Sequence, residues 1–120
     1  MIRTYQELDV YKESYTLALI IYQETKHFPL SEKYDLTSQL RRAAKSIPSN
    51  IAEGWAKRRF IKEFQHHLDI AIGSSNEMEV HLAFAKDLEY LTLEKYQKLS
   101  QQYQYLGGKL VNLRNSWNKK

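Results

Sequence analysis

Residues 41–54, RRAAKSIPSNIAEG, carry a helical pattern on both sides of a proline that helices normally exclude. Pro48 has no N–H for the carbonyl four residues back, and its ring crowds that carbonyl, at a cost of about 3 kcal/mol in a helix interior. Yet Leu36, Leu40, Ala43, Ala44, Ile47, Ile51 and Trp55 keep their three-and-four spacing straight through it. The pattern predicts a helix that is kinked at Pro48 and not ended there.

Three further helical stretches surround this one. Thr4 and Glu7 form a T-x-x-E capping box, so the first helix is expected from Thr4 to about His27, before Pro29. The second opens near Ser31 as N-cap and runs to about Ala56. The third, spanning roughly Phe60 to Glu89, repeats Phe64, Leu68, Ala71, Ser75, Met78, Leu82, Ala85 and Leu88. The fourth starts at Thr92 and repeats Leu93, Tyr96, Leu99, Tyr103, Leu106, Leu110, Leu113 and Trp117, with Gly107 and Gly108 as the weak point. Four long helices with short connections predict an all-α fold, an antiparallel up-down-up-down four-helix bundle, in one domain over residues 1–120. Ser46, Asn50 and Gly54 on the second helix and Gly73, Ser74 and Ser75 on the third form small-residue stripes where the two helices can approach. A buried Asn50 would then need a partner, such as the carbonyl freed by Pro48 or the hydroxyl of Ser74 or Ser75.

The SIPSNIAEG run, the EFQHHLDIAIGSSNEMEVHL segment (residues 63–82) and the DLEYL close (residues 87–91) carry a family resemblance. The chain resembles the small four-helix-bundle proteins first recognised in intervening sequences of 23S ribosomal RNA genes. It is also similar to the accessory variability proteins of diversity-generating retroelements. The resemblance covers almost the whole chain and marks Ser46, Pro48, Ser49, Asn50, Glu53 and Gly54 as a structural signature, matched by Gly73, Ser74 and Ser75. It implies a homo-oligomer, by analogy a pentamer, and a reverse transcriptase or other nucleic-acid enzyme as a partner.

Composition excludes several classes. There is no cysteine, hence no disulfide framework and no thiolate nucleophile. The longest apolar run, Leu17 to Tyr22, has six residues, against the roughly 20 of a membrane span. The amino terminus, MIRTYQELDVYKE, lacks the pattern of a secretory signal, which predicts a cytoplasmic location and no membrane partner. Glu63 with His67, and Glu77 with His81, stand four apart, but two ligands do not make a metal site, and the single Glu-x-x-His pair, Glu63 with His66, falls short of the two such pairs a di-iron bundle uses. No nucleophile elbow, phosphate-binding loop or dinucleotide fingerprint is present. The expectation is a non-enzymatic protein with no metal and no cofactor.

Two surface features remain. Tyr11, Tyr15 and Tyr22 follow one another on the first helix, and Leu17–Tyr22, LALIIY, is apolar all the way round, so Tyr11, Tyr15, Ile20, Ile21 and Tyr22 are expected at a subunit interface. Lys and Arg minus Asp and Glu gives −1 over residues 1–30, +4 over 31–59, −4 over 60–90 and +5 over 91–120. An up-down-up-down bundle brings Arg3, Lys57, Arg58, Arg59, Lys62, Arg114, Lys119 and Lys120 to one end, with Arg41, Arg42 and Lys45 extending the charge along the second helix. Phosphate backbone of RNA or DNA is the partner such a surface fits. The alternative is a protein-interaction scaffold whose tyrosine faces matter and whose basic end is only solvated.

Overall fold

A computed structural model describes residues 1–117. Four helices, α1 (Asp9–Thr25), α2 (Leu36–Ala56), α3 (Ile61–Asp87) and α4 (Leu93–Trp117), form a rod of 46 × 23 × 21 Å, and no strand occurs among the described residues. Each helix packs on the next in chain order, and α4 closes back on α1 along a thinner seam. This is the expected all-α four-helix bundle. Leu40, Ile47, Ile51, Phe64, Leu68, Met78, Leu82, Tyr103, Leu106 and Leu110 are its fully buried axis.

α2 runs unbroken through Pro48, which is itself buried. The apolar stripe explains why: Ala43, Ala44, Ile47 and Ile51 are all at 0% exposure. At about 1.5–3 kcal/mol for each large side chain buried, Ile47 and Ile51 together outweigh the proline.

The helix starts differ from the expectation. Thr4 caps no α-helix; Tyr5–Glu7 is a single 3-10 turn, and the Glu7 carboxylate accepts from Arg3 N at 3.3 Å. Leu8 is extended and α1 begins at Asp9. Leu8 and Val10 are both buried, and two residues on a continuous helix diverge by about 200°, so an extended Leu8 lets both reach the core. α2 likewise starts at Leu36, not after Ser31, with Leu30–Glu32 forming another 3-10 turn. Leu30 and Tyr34 are more than 80% exposed, so no apolar face holds this segment in a longer helix. Glu32 works from outside instead, its carboxylate accepting from Leu36 N at 3.3 Å and from Tyr90 Oη at 2.8 Å. That second bond ties the α1–α2 connection to the α3–α4 turn.

The far end of α3 closes through Glu89, the one non-glycine residue with positive φ (68°) among those described. Tyr90 N then reaches back to Ala85 O at 2.8 Å, which satisfies a carbonyl of the last turn. Thr92 Oγ1 accepts from Lys95 N at 3.2 Å and opens α4, which continues through Gly107 and Gly108.

Candidate nucleic-acid interface

The short turn between α2 and α3 is built from its flanking aromatics. Lys57 N, Arg58 N and Phe60 N bond to Gly54 O, Trp55 O and Lys57 O at 2.9, 3.2 and 2.9 Å. Trp55, Phe64 and Trp117 pack edge to face with centroids 4.8–6.1 Å apart. Trp117 Nε1 donates to Arg58 O at 3.2 Å, which fixes the carboxyl-terminal turn of α4 against the α2–α3 turn. Two separate parts of the chain thus meet at one end.

Close helix approach at this end depends on Gly54. A Cβ there would lie 2.8 Å from His67 Cβ and 2.9 Å from Phe64 Cδ1. Just inside, a hydrogen-bonded chain crosses from the turn to the middle of the α2–α3 contact. Lys57 Nζ lies 3.2 Å from His67 Nε2, and His67 Nδ1 lies 3.0 Å from Asn50 Oδ1. Asn50 Nδ2 donates to Ser46 O at 2.9 Å and Ser46 Oγ at 3.2 Å, and Ser74 Oγ donates to Ser46 Oγ at 2.9 Å. An ammonium can only donate, so Nε2 of His67 accepts and Nδ1 carries the proton donated to Asn50. Every member of the chain is then paired, as buried polar groups require.

The signature residues therefore divide. Ser46, Asn50, Gly54 and Ser74 form the α2–α3 contact, with Ser46 O serving Asn50 in place of the carbonyl expected from the proline. Ser75 turns the other way and donates to Tyr103 O of α4 at 2.9 Å. Gly73 is exposed, and a methyl added there would have nothing within 4 Å, so it takes no part in the close approach. Ser49 and Glu53 are exposed.

The cations divide as well. Lys57, Arg58, Arg59 and Lys62 are exposed at the turn. Arg58 lies over the Trp55 ring at 4.4 Å and donates to Trp55 O at 2.9 Å, and Arg59 lies over Phe60 at 4.9 Å. Arg114, one turn before Trp117, pairs with Asp69 at 2.6 Å. Lys119 and Lys120 lie outside the described residues. Arg41, Arg42 and Lys45 do not join this group, being 12 or more residues back along α2, about 18 Å or more. Arg41 faces α1, donating to Thr25 Oγ1 at 2.9 Å and lying over Tyr22. Arg42 faces α3 and is ion-paired to Glu77. They bracket α2 on opposite flanks, so the basic surface is an end and not a stripe.

Of the histidine pairs, Glu77 accepts from His81 at 3.0 Å as well as from Arg42. Burial pulls the Glu77 carboxyl upward, but the His81 bond and the Arg42 charge outweigh it and hold the carboxyl below its ordinary value. Among the described residues no three His, Asp or Glu side chains converge as metal ligands. No helix among them is long and apolar enough to cross a membrane.

The α1 face keeps only part of the expected interface. Ile21 is 1% exposed and belongs to the core, because the all-round apolar segment turns that side inward. Tyr103, on α4, is buried too, and burial pushes its phenol well above the usual tyrosine range. Tyr15 is 50% exposed; Tyr11, Ile20 and Tyr22 are half-buried. Tyr5, Tyr11, Tyr15, Leu19 and Tyr22 line a groove of about 490 Å³ whose other wall is Lys45, Pro48, Ser49 and Ala52 of α2. Sequence reasoning missed a second apolar surface. Ile70, Val80 and Phe84 on α3, and Leu88 just past its end, are 38–57% exposed along its outer side, and their spacing of 10, 4 and 4 residues was the available signal.

A family model described as 23S rRNA-intervening sequence protein matches residues 6–112. Among solved structures, a protein with unknown function from the S23 ribosomal protein family of Bacteroides thetaiotaomicron has the same fold, with a TM-score of 0.80 and 25% identity. That match covers 88% of this chain and 95% of the other. No curated protein matches. The signature that forms the α2–α3 contact lies within the matched span, as do α1, α2, α3 and most of α4, and the chain belongs to the 23S rRNA-intervening sequence protein family.

Proposed function

We propose that this protein is a non-enzymatic, cytoplasmic homo-oligomer that binds RNA or DNA through phosphate contacts at the basic end of its bundle. The observation that carries the reading is the Trp117–Arg58 bond, which brings the α4 terminus and Arg114 to the turn bearing Lys57, Arg58, Arg59 and Lys62. Two acids, Glu53 and Glu63, are exposed near the turn, and Asp69 is already paired, so cations prevail there. Oligomerisation, by family resemblance to a pentamer, is supported by the half-open tyrosine groove between α1 and α2, and a ring of subunits would multiply the field of each basic end. A nucleic-acid enzyme such as a reverse transcriptase fits as a partner sharing the same nucleic acid. Titration of generic RNA and duplex DNA at several salt concentrations tests the reading: affinity that falls steeply with salt and ignores sequence supports it, and absence of binding at low salt refutes it.

The scaffold reading has its own support in the exposed Ile70, Val80 and Phe84 of α3 and Leu88 just past its end, since apolar patches of this kind mark protein contacts. Under that reading the charge-reversed basic end would be functionally silent.

A further inference from the structure

Phosphate contacts leave one feature of the basic end without a use. Phe60 is 51% exposed at the turn, where a lysine or serine would be cheaper to keep in water. Beside it opens a cleft of about 530 Å³ lined by Ala56, Arg58, Arg59, Ile61 and Trp117, within the roughly 300–1,000 Å³ of small-ligand sites. Both guanidinium groups at this cleft lie over aromatic rings, Arg58 over Trp55 and Arg59 over Phe60. An arginine held in this way has less side-chain freedom to lose when a ligand arrives.

We propose that an unpaired base of a single-stranded nucleic acid stacks on the exposed Phe60 ring at the rim of this cleft, with the neighbouring phosphates on Arg59 and Lys62. The inference rests on the proposed phosphate binding and narrows it to single strands. A duplex buries its base faces in its own stack and offers the cleft only backbone. A single strand presents free π-faces, and aromatic rings and guanidinium planes are the side chains that stack on them without regard to sequence. Positive charge beside the aromatics supplies the complementary half of the contact.

The two tryptophans of the chain, Trp55 and Trp117, both belong to this cluster, so intrinsic fluorescence reports on the cleft directly. The full chain would be titrated with a thymidine dodecamer, an abasic strand of the same length and charge, and a duplex dodecamer, at one fixed low salt concentration. Stacking predicts tryptophan quenching by the thymidine strand and an affinity for it roughly 5- to 100-fold above that for the abasic strand. Phe60→Ala should remove most of that difference and leave abasic binding unchanged. Phe60→Leu, which keeps the apolar bulk without the π-face, should do the same if the alanine variant proves poorly folded. Equal affinities for the thymidine and abasic strands overturn this proposal and leave phosphate binding standing; no binding to any of the three overturns both. A preserved thymidine preference in both Phe60 variants also overturns it.

Discussion

Replacing Gly54 and Gly73 with alanine should move stability in opposite directions, although both glycines sit inside long helices. In a helix interior alanine is better than glycine by about 1 kcal/mol. At Gly73 a new methyl meets nothing within 4 Å, so the variant should gain about 0.5–1 kcal/mol. At Gly54 the methyl would stand 2.8 Å from His67 Cβ, an atom bonded to the α3 backbone that no rotamer change can move. It would also stand 2.9 Å from a ring carbon of Phe64, which is fully buried. The helices must separate, and overpacking of this kind costs about 1–3 kcal/mol. With no soft neighbour the upper end applies, and after the propensity gain about 2 kcal/mol of destabilisation remains. In urea, with a slope of roughly 2 kcal/mol/M, the unfolding midpoint should fall by about 1 M for Gly54→Ala and rise by up to about 0.5 M for Gly73→Ala. Upward shifts in both variants would mean that α2 and α3 are not in contact at Gly54.

Asn50→Ala should destabilise by about 1–3 kcal/mol, chiefly because it strands the buried His67 Nδ1–H and also removes the side-chain donor to Ser46 O and Oγ; urea melts measure this. Folding lowers the Glu77 pKa, so its bonds to His81 and Arg42 contribute fully above about pH 4.5 and are lost as the pH falls through the lower folded value. The midpoint gap between the parent and Glu77→Gln should therefore be present at pH 7 and shrink as the pH falls below about 4.5, with a size of under about 1 kcal/mol for so exposed a pair. Leu19→Glu, on an exposed position of the tyrosine groove, should lower the mass seen by light scattering after size exclusion while circular dichroism stays unchanged; a parent that already runs as a monomer refutes the interface.

The bundle was legible because three-and-four spacing survives even Pro48, and burial follows that spacing through the middles of α2, α3 and α4, failing at the α3–α4 connection where Leu88 and Leu93 are 49% and 59% exposed. Capping motifs were less reliable, since Thr4 and Ser31 look like helix starts only if burial of Leu8 and exposure of Leu30 and Tyr34 are ignored. Small residues gave proximity without direction: Ser74 and Ser75 are neighbours in sequence, yet one bonds across to α2 and the other to α4. Ile21 was misplaced for a related reason, because an all-round apolar segment does not say which of its sides faces inward. The convergence of the basic end could be reasoned from topology. The hydrogen-bonded chain from Lys57 to Ser74 could not, because it links residues from two helices through His67, whose partners are fixed only by packing.

The most direct measurement of the central claim is the salt dependence of RNA and duplex DNA binding by the parent and by a double charge reversal, Arg59→Glu with Lys62→Glu. These two are preferred to Lys57 and Arg58, which bond to His67 and Trp55 and whose loss would disturb the fold. Neutralising about four to six phosphates predicts a slope of log affinity against log salt of roughly −4 to −5 on duplex DNA, and less on single strands. The double variant should bind every sequence more weakly, with a slope shallower by about 2. A variant that matches the parent in affinity and slope would contradict the account and leave the basic end a solvated surface.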